Sequence, residues 1–180
     1  HLSALLLIPV YFFVRTEAWS KTTWLLIISC IVTFVFFEEV VMCIFNVIQI
    51  PQYDHYRKIL LDPASRGANP LRFCASAVPV IFAHVKQDSI RKRFRGADIL
   101  MNMCILNAFF TLLSLRHVYM ARMAIYFELY LVLLLSHFTR VGNSRLANCS
   151  IYVALLISYL VYSYCQLPYV DGVLPYKFVF

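Results

Sequence analysis

Charge is scarce in this chain. Only 14% of its 180 residues are Asp, Glu, Lys or Arg, against roughly a quarter in a soluble domain, while 62% are apolar and the mean hydropathy is +0.74. Such a composition excludes an ordinary soluble globule and identifies an integral membrane protein. Glycine is scarce too, at four residues. That leaves no glycine-rich phosphate cradle and no paired Gly/Pro-broken helices of the kind that mark repeat-built transporters. Cysteine never occurs as CxxC, and no His stands at metal-ligand spacing, which excludes zinc and dithiol sites. All six cysteines (Cys30, Cys43, Cys74, Cys104, Cys149, Cys165) fall in apolar runs and are expected as small buried hydrophobes. Acidic residues number nine against sixteen basic ones. The resulting +7 does not indicate nucleic acid, because the cations interrupt apolar runs instead of forming one surface stripe; lipid headgroups and anionic substrates suit them better.

What the chain does have is a basic block, KQDSIRKRFR at residues 86–95, with apolar runs on both sides. Lys and Arg concentrate in short cytoplasmic loops, so residues 86–96 are read as a cytoplasmic basic loop, and the other segments follow by alternation. Apolar runs cover 2–14, 22–50, 71–85, 97–115, 118–138 and 146–165. The fold predicted is an all-α polytopic membrane protein of about six transmembrane helices, a single transmembrane helical domain over 1–180. The run Thr22 to Ile50 lacks Gly and Pro and is expected as one long helix stopped by Pro51. Residues 51–70 form the outer loop, in which Tyr53, Tyr56, Ile59, Leu60 and Pro63 recur at helical spacing, predicting a short interfacial helix. The tail from Gln166 to Phe180 is expected at the outer interface. The first run is shorter than the ~20 residues a spanning helix needs, the chain opens with His1, and no signal-peptide pattern is present. The expectation is the C-terminal portion of a larger membrane protein.

The alternation places nine Lys/Arg inside and seven outside. The outer arginines are the candidates for function: Arg66 and Arg72 around the long loop, Arg116 at the turn between the fourth and fifth runs, and Arg122 just inside the fifth. Arg in a membrane helix is costly unless it meets water or an anion. Tyr119, Arg122, Tyr126 and Tyr130 fall within one helical arc of ~80°, a polar-aromatic stripe suited to lining a cavity. Guanidinium forks match phosphate oxygens, so arginines converging on one hollow indicate a diphosphate or similar dense anion. The alternative is that they reach lipid headgroups or pair with Glu and Asp. Glu38 and Glu39 are either an ion-pair partner of Arg122 or a general base. His55 and His117 are either bases or headgroup contacts. Asp98 and Glu128 are expected as cap or helix-pairing residues.

From Tyr56 to Tyr130 the chain resembles the EpsG-type family of bacterial polysaccharide polymerases, relatives in role of the Wzy O-antigen polymerases. The matching pieces are QYDHYRKILLD, PLRF with Arg72, VPVIF running into the basic loop, LLSL, ARMAIYFELY with Arg122 and Tyr126, and the late LPYKFVF. Their order carries the resemblance, which covers about the last two-thirds of the chain and departs at the front, where several family helices are missing. The resemblance implies a metal-independent glycosyltransferase that moves a growing glycan from undecaprenyl diphosphate onto the next lipid-linked repeat unit. The reaction lies on the periplasmic face of the bacterial inner (plasma) membrane and needs no cofactor, because the donor is already activated. It implies Arg72 and Arg122 as the foremost diphosphate ligands with Arg66 and Arg116 behind them, Tyr119 and Tyr126 under the sugars, and Glu39 or His55 as base. The implied partners are the lipid-linked oligosaccharide, membrane lipid and a chain-length regulator. The competing classes are a transporter or flippase of lipid-linked oligosaccharide and a non-catalytic subunit of a polysaccharide synthase.

Overall fold

The computed structural model describes residues 7–47, 54–62, 67–142 and 144–166. Among them the regular elements are all helices: α1 Leu7–Val14, α2 Lys21–Val35, α3 Phe37–Val47, α4 Asp54–Leu60, α5 Pro70–Val85, α6 Gln87–Arg93, α7 Ala97–Ser114, α8 Met120–Phe138 and α9 Arg145–Gln166. The protein is an all-α membrane protein. Helices α7, α8 and α9 are long and apolar enough to cross a bilayer, and α2 with α3 makes a fourth if that bent pair counts as one span; α5 is apolar but shorter. The expected runs therefore appear as helices in place, with three or four reaching full spanning length by themselves. The interfacial helix predicted in the loop is α4. The loop positions Tyr53 and Pro63, the side chain of Tyr56 and the tail beyond Gln166 lie outside the described residues.

The long helix expected over 22–50 is instead two. It breaks at Phe36, and α3 leaves α2 at 99°. The break puts Glu38 and Glu39 in the first turn of a new helix, where the unpaired N–H groups and the macrodipole favour carboxylates. A continuous helix would carry them into hydrocarbon. Buried Phe37 and Val41 lie on one face of α3, with Glu38, Glu39 and Asn46 exposed, the pattern of a helix lying along an interface. Two adjacent carboxylates after Phe-Phe were the available signal.

At the end bearing the basic block, Asp98 in the first turn of α7 fixes the chain. Its Oδ1 accepts from Arg91 Nε (3.0 Å) and Nη2 (2.9 Å) and from Ala18 N (3.0 Å), while Arg91 Nη2 also donates to Ala18 O and approaches Glu17 at 3.4 Å. Of the two expected roles of Asp98, helix pairing and capping, this is the pairing one; no side chain caps the start of α7. The α1–α2 turn, α6 and α7 are thereby joined. Ile90, buried, anchors α6, and Phe94 stacks on His137 at the end of α8.

At the opposite, loop end, Asn69 caps α5 by accepting from Leu71 N (3.0 Å), with Pro70 at the first helical position, the arrangement a helix start favours. Farther along, Pro79 has no N–H to give to Ala75 O four residues earlier. In lipid that carbonyl needs another donor, and Tyr159 Oη supplies it at 3.0 Å. This is the bond that ties α9 to α5. Along its own length α9 has no buried residue.

Helix α7 is the centre. Ser76 and Thr111 join α5 to α7 at 2.8 Å, Asn102 Nδ2 donates to Thr16 O at the end of α1 (2.8 Å), and Asn107 Nδ2 donates to Ala124 O of α8 (3.0 Å). The hydrophobic core of Leu100, Met101, Cys104, Ile105, Leu134 and Phe138 fills the space around it. The cysteines are free thiols; Cys30 and Cys104 are buried, but Cys43, Cys74 and Cys149 are exposed. The expectation of burial fails for these three because an apolar residue facing lipid is already out of water.

Two substitutions test this framework. Asp98→Asn removes the charge that gathers three donors and is expected to lower stability by about 2 kcal/mol, read as a drop in melting temperature of the detergent-solubilised protein. Tyr159→Phe leaves Ala75 O unpaired and is expected to cost about 1 kcal/mol, with selective loosening of α9 in hydrogen exchange.

Candidate functional site

A polar cleft of about 310 Å³ opens at the loop end, where α3, α4 and the α7–α8 turn meet; its lining includes Glu38, Asp62, Gly67, Arg116 and His117. Local sequence builds each wall. The break at Phe36 brings Glu38 to the cleft. Gly67 lets the loop lie directly on the end of α7: a Cβ there would stand 1.8 Å from Leu115 O, and beside it Ala68 N donates to Ser114 O at 2.7 Å.

His117 is buried, with Nε2 2.9 Å from Ile59 O and Nδ1 accepting from Tyr119 N at 3.2 Å. An Nδ1 that accepts leaves the proton on Nε2, so the ring donates to Ile59 O. Both nitrogens are used in docking α4 against the α7–α8 turn. The base and headgroup readings of His117 both give way to this structural one.

Arg116 approaches Glu38 at 4.0 Å, with both side chains partly in solvent, and lies over Phe34 at 5.9 Å. A pair this long and open is weak, so an arriving anion can take the guanidinium from it. The carboxylate partner expected for Arg122 is instead the partner of Arg116.

The described candidate arginines, Arg72, Arg116 and Arg122, do not share one hollow. Arg72, on α5, pairs with Glu128 of α8 at 3.9 Å, which accords with the helix-pairing reading of Glu128. Arg122 stacks over Tyr119 at 4.5 Å, and Arg122 and Tyr126 are exposed on the outer flank of α8. The stripe therefore does not line the cleft. Arg122 and Tyr126 stand away from the face that α8 buries with Ala121, Ala124, Phe127, Leu131 and Leu134, while Tyr130 packs partly buried at the edge of the core; Ala121 and Ala124 let α8 approach α7 closely. Arg66 lies outside the described residues, next to Gly67 of the cleft wall. Glu39 and His55 are exposed and are not among the cleft-lining residues. No group of three or more His, Cys, Asp or Glu able to hold a metal occurs among the described residues.

Sequence reading missed Glu38 as the member of the pair that faces the cleft, and missed Asp62 and Gly67. The choice between Glu38 and Glu39 depends on how α3 is rotated after the break. Gly67 gave a signal only as a loop residue.

A helical membrane protein with an open polar cleft at the end opposite its basic loop is the class these features define. The sequence model of the EpsG family matches residues 1–178, and the chain belongs to that family, membrane proteins of polysaccharide biosynthesis with polymerase-like character. The match takes in the front of the chain as well as the two-thirds that carried the resemblance. No curated protein and no solved structure matches the chain.

Gly67→Ala forces the loop off α7 and should open the cleft. Limited proteolysis of the intact protein is expected to cut between α4 and α5 at least several times faster than in the parent, with α7–α9 still protected.

Proposed function

We propose that this protein polymerises lipid-linked oligosaccharide repeat units into a surface polysaccharide such as O-antigen, capsule or exopolysaccharide. The reaction takes place in the loop-end cleft, at the periplasmic face of the bacterial inner membrane. Family membership supports the reaction class, and the observation that carries the site is the loose Arg116–Glu38 pair at the cleft wall.

In this reading the acceptor sugar hydroxyl attacks the anomeric carbon of the donor glycan. The bond from that carbon to the undecaprenyl diphosphate oxygen breaks, and the electron pair leaves with the diphosphate. Arg116, fixed at the start of the α7–α8 turn, faces the charge that grows on the leaving oxygen. Glu38, released from its partner by the incoming anion, takes the proton of the attacking hydroxyl. It is chosen over Glu39 and His55 because it lines the cleft. Arg72, paired with Glu128, does not line the cleft, and Arg66, which precedes Gly67 in sequence, is the remaining candidate phosphate ligand. Orientation follows from the basic block at the other end, which belongs in the cytoplasm.

Arg116→Ala is expected to lower polymerisation about a hundredfold, leaving single repeat units on the carrier, with membrane insertion intact. Arg122→Ala, on the exposed flank, should leave chain length near that of the parent. Polymer of normal length from a correctly inserted Arg116→Ala protein would instead indicate a non-catalytic subunit.

A further inference from the structure

At the other side of the molecule a second cavity, of about 410 Å³, is walled by α2, α5 and α7. Its lining is apolar along most of its length, with Ile31, Phe73 and Leu112 toward the loop end and Trp19, Trp24 and His84 at the basic end. From His84 to Phe73 it follows α5 for about 16 Å at the helical rise. That is close to half of the ~30 Å hydrocarbon thickness, the depth of one leaflet.

Its basic-end mouth carries polar groups with no partner. Trp19 Nε1 and His84 Nδ1 are both buried and without a hydrogen bond, and their rings are in tilted contact, centroids 4.2 Å apart and planes at 46°. Trp24 stands 6.3 Å from each. A buried donor without an acceptor carries an uncompensated desolvation cost. Trp19 is also held at φ 64°, a region that a bulky residue rarely occupies, and such strain collects at ligand sites and switches. Indole Nε1 can only donate, so the missing partner is an acceptor oxygen. Two cations adjoin these residues in sequence, Lys21 next to Ser20 at the start of α2 and Lys86 after Val85 at the end of α5.

We infer that this groove is a binding site for one anionic phospholipid of the leaflet on the basic side. One acyl chain lies between α2 and α5, and the phosphate sits at the mouth between Lys21 and Lys86, accepting from Trp19 Nε1 once the indole turns toward it. The site is separate from the loop-end cleft and does not depend on the reaction proposed there.

The chain's two tryptophans, Trp19 and Trp24, both line the groove, so intrinsic fluorescence reports on it directly. The full chain in detergent is titrated with phosphatidylglycerol, with phosphatidylcholine of the same acyl chains, with inorganic phosphate and with an isoprenyl phosphate, and native mass spectrometry counts what stays bound. Phosphatidylglycerol is expected to change the emission saturably at one per chain and about tenfold more tightly than phosphatidylcholine, while inorganic phosphate leaves the emission unchanged. Trp19→Phe, read through Trp24, should weaken phosphatidylglycerol about tenfold, the loss of one charge-assisted hydrogen bond. Ala77→Phe, which fills the groove, should abolish retention. If that variant does not fold, the surface double variant Lys21→Gln/Lys86→Gln carries the test and must lose the preference for phosphatidylglycerol. Unsaturable or headgroup-indifferent binding would mean annular lipid only and would overturn the inference. So would unchanged binding by a folded Ala77→Phe, binding of inorganic phosphate alone, or an isoprenyl phosphate bound tenfold better than the phospholipid.

Discussion

Inside a bilayer no water completes a hydrogen bond, so each polar group in the apolar layer must find its partner within the protein. In this molecule that requirement is met largely by one helix. From Asp98 through Asn102, Asn107 and Thr111, α7 presents a polar side chain in successive turns, and each is bonded to a different neighbour: the α1–α2 turn and α6, the end of α1, α8, and α5. Apolar contact alone discriminates poorly in lipid, since acyl tails offer the same contact as leucine. The polar bonds are therefore what choose which helices stand beside α7. Tyr159 extends the same logic outward by donating to the carbonyl that Pro79 leaves open.

Two ends of different character result. The basic end is closed by charge-assisted bonds at Asp98, with the Arg91 guanidinium spent internally. The loop end is held by neutral contacts, Ala68 with Ser114 and His117 with Ile59, while its ion pair is long and wet. The first arrangement uses Arg91 and Asp98 to join the chain and leaves the other cations of that end to face the headgroups. The second positions α3, α4 and the α7–α8 turn without using Arg116 or Glu38 in doing so, which leaves both available to a ligand.

How α9 fits is equally informative. It is the longest helix described, yet none of its residues is buried, and its link to α5 rests on Tyr159 and on the groove formed with Leu71, Cys74 and Val78. Exposed apolar surface of this extent is ordinary where the surroundings are acyl chains. It also explains why apolar runs hold both lipid-facing and buried cysteines.

Helix type, the membrane setting, the interfacial helix over 54–60 and the anchoring role of Asp98 were legible in the sequence, because apolar run length, helical spacing and a carboxylate beside a basic block report local physics. The order of the segments from QYDHYRKILLD to LPYKFVF also carried the family resemblance. The break at Phe36 left only a faint trace, since neither Gly nor Pro marks it and its one signal is the pair of carboxylates that gains from standing at a helix start. It was not legible that Arg122 would stack on Tyr119 outside while Arg116 entered the cleft, or that His117 would be fixed on both nitrogens. Those outcomes depend on the rotation of α8 about its axis and on where the loop lies upon α7. Both are set by contacts between residues far apart in the chain, Asn107 with Ala124 and Gly67 with Leu115, and no periodicity within a single segment encodes them.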